Sequence, residues 1–282
     1  MSGPLAGYKV VDMSRILAGP WAGQLLADMG AEVIKIERPV VGDDTRHWGP
    51  PYLKDRFGNN TEDAAYYFCA NRGKKSVTVD ITQPEGQLII RQLAAKADVL
   101  IENYRVGGLK KYGLDYSSLS ALNPRLVYCS ITGFGQTGPY ADRPGYDFLI
   151  QGMGGLMSIT GEPTDSHGNG GPVRAGVAVT DLFSGMYATN AIQGALLERH
   201  RSDLGQYIDI ALLDVQTAVL ANQASNYLVG GEVPGRIGNS HPNIVPYQAF
   251  ATQDGHLILA VGNDAQFQRF CDIIDQPQLA LD

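Results

Sequence analysis

Residues Gly171–His200 read GPVRAGVAVTDLFSGMYATNAIQGALLERH, and the rest of the chain is organised around this stretch. Small and β-branched residues at 173–180 lead into a long amphipathic pattern that predicts a helix from Asp181 to about Arg201. The apolar positions fall at i, i+3, i+4, i+8 and i+12, which is one helix face: Phe183, Met186, Tyr187, Ala191 and Ala195.

Asp181 stands at the start of this helix, and two interpretations are open. An acid at a helix start is common, because it accepts hydrogen bonds from unpaired N–H groups and is favoured by the positive end of the helix. The other interpretation is a carboxylate nucleophile, held ionised by the helix end beside the small residues Ser184, Gly185 and Ala188. The local pattern does not choose between them.

The composition limits the classes of protein to which this chain can belong. The chain has 282 residues, 44% of them hydrophobic and 18% charged, which is typical of a soluble globular protein with one large domain or one domain and part of another. A net charge of −7 argues against a nucleic-acid partner, although a few local cations could still hold an anionic ligand. We see no secretory signal and no apolar run of membrane-spanning length.

The three cysteines are Cys69, Cys129 and Cys271, far apart and without a C-x-x-C motif. We predict reduced core thiols, no metal site, and a cytoplasmic protein (in the mitochondrial matrix if the source is eukaryotic).

Apolar runs and amphipathic stretches alternate along the chain. The predicted strands are 8–13, 33–36, 76–79, 98–102, 125–132, 206–211 and 256–261. The predicted helices are 20–29, 83–97, 109–112, 116–122, 146–157 (broken by a Gly-rich turn), 181–201, about 213–229 and 264–274. This alternation indicates an α/β fold with a doubly wound parallel sheet. The Gly-, Pro- and Asn-rich stretch 230–246 is the best candidate boundary, after which a second unit begins.

Two loops stand out. Residues 39–63 are long and polar, and a loop of this length in a compact domain is usually functional or mobile. Residues 133–138 read GFGQTG, a literal G-x-G-x-x-G, but the proline and glycine that follow are a poor start for a helix. We predict a tight glycine loop at a strand end rather than a dinucleotide site.

Several blocks, in the same order, resemble the class III CoA-transferases, the CaiB/BaiF family that includes formyl-CoA transferase. The blocks are Ala18–Pro20, Gly30–Arg38, Asn71–Asp80, Glu102–Tyr104, Gly133–Pro139, Gly145–Asp147, Asp181–Met186 and Gly205–Asp209. The resemblance spans nearly the whole chain. It implies a Rossmann-like large domain (1–200), a strand and linker helix (201–229), the start of a smaller α/β domain (230–282), and an interlocked homodimer. Family chains are longer, so we expect this sequence to be truncated at its C-terminus.

The resemblance also implies the chemistry. Asp181 matches the catalytic aspartate, whose carboxylate attacks an acyl-CoA thioester to form a mixed anhydride that passes CoA to a carboxylic acid acceptor. Coenzyme A then acts as substrate, with no tightly bound cofactor. The positions that match contacts to CoA are Leu17, Ala18, Arg38, Val79, Asp80, Thr82, Asn103, Tyr104, Arg105, Lys111, Arg143, Tyr146 and Asp147.

Two departures from relatives within the family bear on the substrate. Racemases of the family carry Gly-His-Asp where this chain has Gly145-Tyr146-Asp147, and a tyrosine of pKa about 10 does not suit proton exchange, so transfer is favoured over epimerisation. Residues 238–243 replace the glycine-rich flap and resemble members that use dicarboxylates such as succinate, glutarate or itaconate. Within them, His241 either stabilises a turn or touches the acceptor, and Arg46 is a second candidate partner for its distal carboxylate.

Three alternatives stay open: an α-methylacyl-CoA racemase or epimerase, a dinucleotide-dependent oxidoreductase that uses residues 133–138, and a CoA-binding fragment without activity.

Overall fold

The computed structural model describes residues 3–281, which form two compact units. The first contains the chain up to Met153 together with Gly176–Val219, and the second contains Gly154–Ala175 together with the chain from Leu220 onward.

A six-stranded parallel sheet forms the centre of the first unit. The strands of this unit are β1 (Lys9–Asp12), β2 (Glu32–Glu37), β3 (Tyr52–Lys54), β4 (Asn60–Ala64), β5 (Lys74–Thr78), β6 (Val99–Glu102), β7 (Val127–Thr132) and β8 (Tyr207–Ala211). The sheet order is β5-β2-β1-β6-β7-β8, and every neighbouring pair is parallel. This is the doubly wound order of Rossmann-like sheets, so the predicted fold class is confirmed. The loop 39–63 contains an unpredicted antiparallel hairpin, β3–β4.

Helices of the first unit cover both faces of this sheet. The helices of this unit are α1 (Ala18–Asp28), α2 (Ala65–Phe68), α3 (Pro84–Ala94), α4 (Tyr116–Leu122), α5 (Asp147–Met153), α7 (Val179–Ser202) and α8 (Leu212–Val219). Helix α6 (Leu156–Ile159) belongs to the second unit. Because successive strand residues point to opposite faces, Val10 packs in the core shared with α1 and α7. Its neighbour Val11 packs in the core shared with α3 and α4.

The buried face of α7 differs from the predicted one. Met186 and Tyr187 are 51% and 45% exposed, whereas Ser184, Ala188 and Ile192 are buried. The reason is the close packing of α7 against α1: a Cβ on Gly185 would lie 2.6 Å from the carbonyl oxygen of Ala18. Only a glycine fits at that contact, and Met186 and Tyr187 lie away from it.

The predicted helix 213–229 is interrupted. Helix α8 ends at Val219, and α9 (Ala221–Gly230) begins with Ala221 at a φ of +47°, a value that breaks an α-helix. The predicted segment 201–229 is therefore divided between the two units. Strand β8 lies at the edge of the main sheet in the first unit, and α9 belongs to the second unit. The prediction of three core thiols is also wrong in part, because Cys69 is exposed while Cys129 and Cys271 are buried.

The second unit is smaller. Strand β9 (Tyr247–Ala251), which was not predicted, pairs antiparallel with the predicted β10 (His256–Ala260), and α10 (Asp264–Ile273) follows. The guanidinium of Arg236 donates to the hydroxyl of Thr164 at 2.7 Å and joins two loops of this unit. None of the helices within residues 3–281 combines the length and the apolar character that a membrane span requires.

Candidate active site

A cleft of about 570 Å³ opens beyond the carboxyl ends of β1 and β6, the two neighbouring strands between which the strand order reverses. Its walls come from the ends of parallel strands and the segments that follow them: residues 15–18 after β1, 37–38 at the end of β2, 79–82 after β5, 103–106 after β6 and 132–133 at the end of β7. Open α/β sheets bind ligands at this position, because the connections diverge to opposite faces there.

Nearly all the residues predicted from the family pattern line this cleft. They are Leu17, Ala18, Arg38, Val79, Asp80, Thr82, Asn103, Tyr104, Arg105, Lys111, Arg143, Tyr146 and Asp181. Asp147 is buried and does not line it. The structure thus brings together residues that are up to 164 positions apart in sequence, while their contacts to a ligand remain predictions.

Asp181 is the third residue of α7 and lies in its first turn, not at its cap. The residue before the helix, Ala178, offers no capping side chain. The cap comes instead from Asp147, the first residue of α5. Its Oδ1 accepts hydrogen bonds from the backbone N–H of Thr180 at 2.8 Å and from that of Asp181 at 3.4 Å. The capping role that the sequence allowed for Asp181 is therefore taken by another acid.

Asp147 and Thr180 are themselves held. Gln151 donates its side-chain N–H to Oδ2 of Asp147 at 2.7 Å, and the hydroxyl of Thr180 donates to Gln216 on α8 at 2.5 Å. The first turn of α7 is thus fixed from two neighbouring helices, and with it the backbone of Asp181.

Burial, together with the nearby negative charge of Asp147, raises the pKa of Asp181 to about 7. The expectation that the helix end holds this carboxyl ionised is therefore wrong. The helix end favours the charged form, but desolvation is the larger effect at this position. Near neutral pH the side chain is a mixture of acid and carboxylate.

The segment after β1 is held in an unusual conformation. The side-chain amide of Asn103 accepts the N–H of Arg15 at 2.9 Å and donates to its carbonyl at 2.7 Å. The next residue, Ile16, has a φ of +72°, which β-branched residues rarely adopt, and its N–H donates to Asp43 at 3.3 Å. Such strain persists only where surrounding contacts enforce it, and it is common at binding sites.

Lys35 supports this segment from below the surface. It is fully buried in β2, pairs with Asp43 at 2.8 Å and donates to the carbonyl of Ser14 at 3.0 Å. Lys35 and Arg15 were not among the residues predicted from the sequence. A lysine in the middle of the apolar strand EVIKIE was the available signal, because a buried charge requires a partner.

Arg46 is not a free cation. Its guanidinium makes two hydrogen bonds of 2.8 Å to Glu37 and one of 2.5 Å to Asp63, and lies 3.7 Å from the ring centre of Tyr67. Burial alone would raise the pKa of Glu37, but hydrogen bonds from Arg46, Ser76 and the backbone N–H of Asp43, with the charge of Arg46, hold that pKa at about 2. Arg46 thus fastens the loop 39–63 to β2 and does not line the cleft, which corrects the suggestion that it pairs with a substrate carboxylate.

His241 behaves as a turn residue. Its Nδ1 accepts the backbone N–H of Asn243 at 3.0 Å, and its ring lies 5.1 Å from that of Tyr247. These contacts favour the turn-stabilising interpretation.

The glycine loop 133–138 brings two walls of the cleft into contact. No helix follows it until Asp147, so it lacks the context of a dinucleotide fingerprint. A Cβ on Gly133 would lie 2.5 Å from Cα of Gly145, and the N–H of Gln136 donates to Asp209 in the middle of β8 at 2.9 Å. The glycines thus serve close backbone approach, as the tight-loop prediction requires.

Glu102 is a buried acid that the sequence did not single out. Burial raises its pKa to about 7, and the carboxyl accepts hydrogen bonds from the hydroxyl of Ser130 and, at 2.7 Å, from the N–H of Tyr104. It therefore supports the segment that carries Asn103 and Tyr104 into the cleft. Across residues 3–281, no three His, Cys, Asp or Glu side chains cluster in a way that could hold a metal ion.

Known proteins with similar sequences and structures support this fold. The sequence profile of CoA-transferase family III matches residues 5–282. The chain is 60% identical over 271 residues to the succinate–glutarate CoA-transferase of Agrobacterium fabrum, covering 96% of this chain and 66% of that protein. It is 48% identical over 276 residues to human succinyl-CoA:glutarate CoA-transferase, covering 98% and 60%.

Among solved structures, a CaiB/BaiF family protein from Brucella suis superposes with a TM-score of 0.87 at 55% identity, covering 100% of this chain and 72% of that one. The chain belongs to CoA-transferase family III. It spans 60 to 66% of the length of the two curated relatives described above.

Proposed function

We propose that this protein transfers CoA from an acyl-CoA donor to a carboxylic acid acceptor, with Asp181 as the covalent nucleophile. The observation that carries the proposal is the position of Asp181: a partly buried carboxyl on a helix turn held by neighbouring helices, which also lines the cleft. Membership of CoA-transferase family III supports the same reaction.

The reaction exchanges activated acyl bonds. A carboxylate oxygen of Asp181 attacks the thioester carbonyl, and the CoA thiolate leaves, which yields an acyl–aspartyl anhydride. The thiolate then attacks the aspartyl carbonyl, releases the first acid as its carboxylate, and leaves an aspartyl–CoA thioester. The acceptor carboxylate attacks that thioester to form a second anhydride, and the thiolate takes up the new acyl group while Asp181 is regenerated.

This chain contributes three things to that sequence. Asp147, Gln151 and Gln216 fix the turn that carries the nucleophile. The partial burial of Asp181 limits the access of water, which would otherwise hydrolyse the anhydride. Backbone N–H groups near Gly133 and Gly145 can approach an oxyanion closely, because neither residue has a side chain in the way.

We infer that the acceptor is a dicarboxylate. The similar proteins are named for succinate and glutarate, which are both dicarboxylic acids. The replacement of the family's glycine flap by residues 238–243 supports the same class of substrate.

We also infer a homodimer in a reducing compartment such as the cytoplasm. The exposed apolar side chains Met186 and Leu197, three turns apart on α7, support a partner surface, and three free cysteines suit reducing conditions. Light scattering on the purified chain tests the dimer, and a monomer at micromolar concentration would contradict it.

Mass spectrometry tests the mechanism directly. The 282-residue chain is incubated with succinyl-CoA and quenched with hydroxylamine, which converts an activated aspartyl group to a hydroxamate. We expect the modification on Asp181, its loss in Asp181→Ala, and its retention in Asp214→Ala, which changes an exposed acid of α8. A hydroxamate elsewhere, or none with CoA bound, would reject Asp181 as the nucleophile.

A further inference from the structure

Arg15, Asp44 and Arg38 form a bridged group of charges beside the cleft. Arg15 Nη1 donates to Oδ2 of Asp44 at 2.7 Å, and Arg38 Nη2 donates to Oδ1 at 2.9 Å. Each carboxylate oxygen of Asp44 therefore accepts a hydrogen bond from one guanidinium, and the three side chains together carry a net charge of +1. Both arginines line the cleft, with side chains 35% and 51% exposed.

The backbone of Arg15 is held more firmly than that of an ordinary surface residue. Asn103 bonds both its N–H and its carbonyl, the carbonyl of Ser14 before it is held by Lys35, and the strained Ile16 follows it. The guanidinium lies 6.0 Å from the ring centre of Tyr104. A cation presented from a rigid segment loses less conformational freedom when it binds a ligand.

Both guanidiniums keep donors available. Within residues 3–281, Asp44 is the one carboxylate that pairs with either arginine, and it takes one N–H from each. A guanidinium has five N–H donors, so most of them are left to reach an anion in the cleft. Two forked cations held side by side suit a phosphate, which has several acceptor oxygens and is bound by arginine in a bidentate manner.

We propose that Arg15, held next to Arg38 by Asp44, binds a phosphate group of the nucleotide portion of CoA. The inference rests on the proposed function to the extent that it takes CoA as the ligand. The family pattern had pointed to Arg38 and not to Arg15. Coenzyme A offers two sources of this chemistry, the 3′-phosphate on the ribose and the diphosphate.

Calorimetric titration with CoA and with dephospho-CoA, which lacks the 3′-phosphate, tests the assignment. We expect Arg15→Gln to weaken CoA binding by about 10- to 100-fold, the range of a charged hydrogen bond. A loss seen with CoA but not with dephospho-CoA identifies the 3′-phosphate, and an equal loss with both identifies the diphosphate. Unchanged binding of both ligands by Arg15→Gln overturns the proposal.

Arg72→Gln is the matched control. Arg72 also pairs with an aspartate, Asp28, on the surface, but it does not line the cleft. We expect this variant to bind CoA like the wild type, which shows that loss of an exposed ion pair alone does not weaken binding.

A second pair of variants separates direct binding from neutralisation of Asp44. Without Arg15, the less-compensated carboxylate of Asp44 would itself repel a phosphate. We expect Asp44→Asn to bind CoA at least as tightly as the wild type, and Arg15→Gln/Asp44→Asn to bind about tenfold or more weakly than Asp44→Asn. Equal affinity of those two variants would show that Arg15 only neutralises Asp44, and the proposal would fail.

The binding test of Arg15 and the hydroxamate test of Asp181 can fail independently of each other. Binding of CoA by the wild type without a hydroxamate on Asp181 would reject the mechanism and leave the assignment of Arg15 intact. Transfer through Asp181 with no effect of Arg15→Gln on binding would do the reverse. A wild-type chain that does not bind CoA would reject both.

Discussion

The carboxylate of Asp147 accepts the backbone N–H of Asp181 at 3.4 Å and that of Thr180 at 2.8 Å, so one acid caps the helix turn that carries another. Asp147 affects Asp181 in two ways, one structural and one electrostatic. Its hydrogen bonds hold the turn in place, while its charge raises the pKa of the neighbouring carboxyl. Substitutions can separate the two.

Asp147→Asn keeps an oxygen that can cap α7 and removes the charge. We expect the pKa of Asp181 to fall, and the midpoint of the pH–activity profile to move to lower pH by up to about one unit. Asp147→Ala removes the cap as well and lowers the free energy of unfolding by about 1 kcal/mol. Initial rates from pH 5 to 9 and urea titrations check both, and an unmoved midpoint in Asp147→Asn would contradict the electrostatic coupling.

The raised pKa of Asp181 also predicts how stability depends on pH. Between its unfolded value, 3.8, and about 7, the folded state binds more protons than the unfolded state, so stability falls as pH rises through this range. Asp181→Asn removes that dependence, and we expect it to be about 2 kcal/mol more stable than the wild type at pH 8 but not at pH 4. Urea titrations at both pH values check this, with the exposed Asp214→Asn as control. Equal stability of Asp181→Asn and wild type at pH 8 would contradict the burial of a charged Asp181.

Stability falls as Asp181 loses its proton, whereas we expect transfer activity to rise. Because only the carboxylate attacks the thioester, we expect kcat/KM to rise about tenfold for each pH unit below 7 and to level off above it. Stopped assays with succinyl-CoA and glutarate check this. A profile that is flat from pH 5 to 8 would show that Asp181 titrates well below the value caused by its burial.

The pair Arg46–Glu37 is expected to be structural. Arg46→Met leaves the nearly buried carboxylate of Glu37 without its forked donor, and we expect a loss of about 2–3 kcal/mol in the free energy of unfolding. Arg46→Lys keeps the charge but not both hydrogen bonds, and should recover less than half of that loss. If Arg46→Met instead raises KM for the acceptor acid at unchanged stability, Arg46 binds substrate after all.

Gly133→Ala tests the contact between the two glycine segments. A Cβ there would lie 2.5 Å from Cα of Gly145, so the walls of the cleft must separate, and we expect a loss of about 1–3 kcal/mol in stability and weaker CoA binding. Gly171→Ala, where nothing lies within 4 Å of an added Cβ, should change stability by less than about 0.5 kcal/mol. Calorimetric melts and CoA titration of both variants check this, and a Gly133→Ala chain indistinguishable from Gly171→Ala would contradict it.

What the sequence alone determined is the order of strands and helices in the first unit and the identity of most residues around the cleft. Strand and helix periodicities are local properties of ten to twenty residues, so Lys9–Asp12, Val99–Glu102 and Tyr116–Leu122 could be predicted nearly to their ends. The carboxyl ends of parallel strands lie along one edge of the sheet, so residues that follow different strands could be expected to meet.

Only the tertiary structure decided which face of α7 is buried, which acid caps it, and how Asp181 titrates. Those properties depend on groups that approach from other elements: Ala18 on α1, Asp147 on α5, and Gln216 on α8. A hydrogen bond between residues 33 or 36 positions apart leaves no periodic trace in the chain, and desolvation depends on everything packed around a carboxyl. Local patterns placed Asp181 at the start of a helix, and the packing around that helix set its pKa.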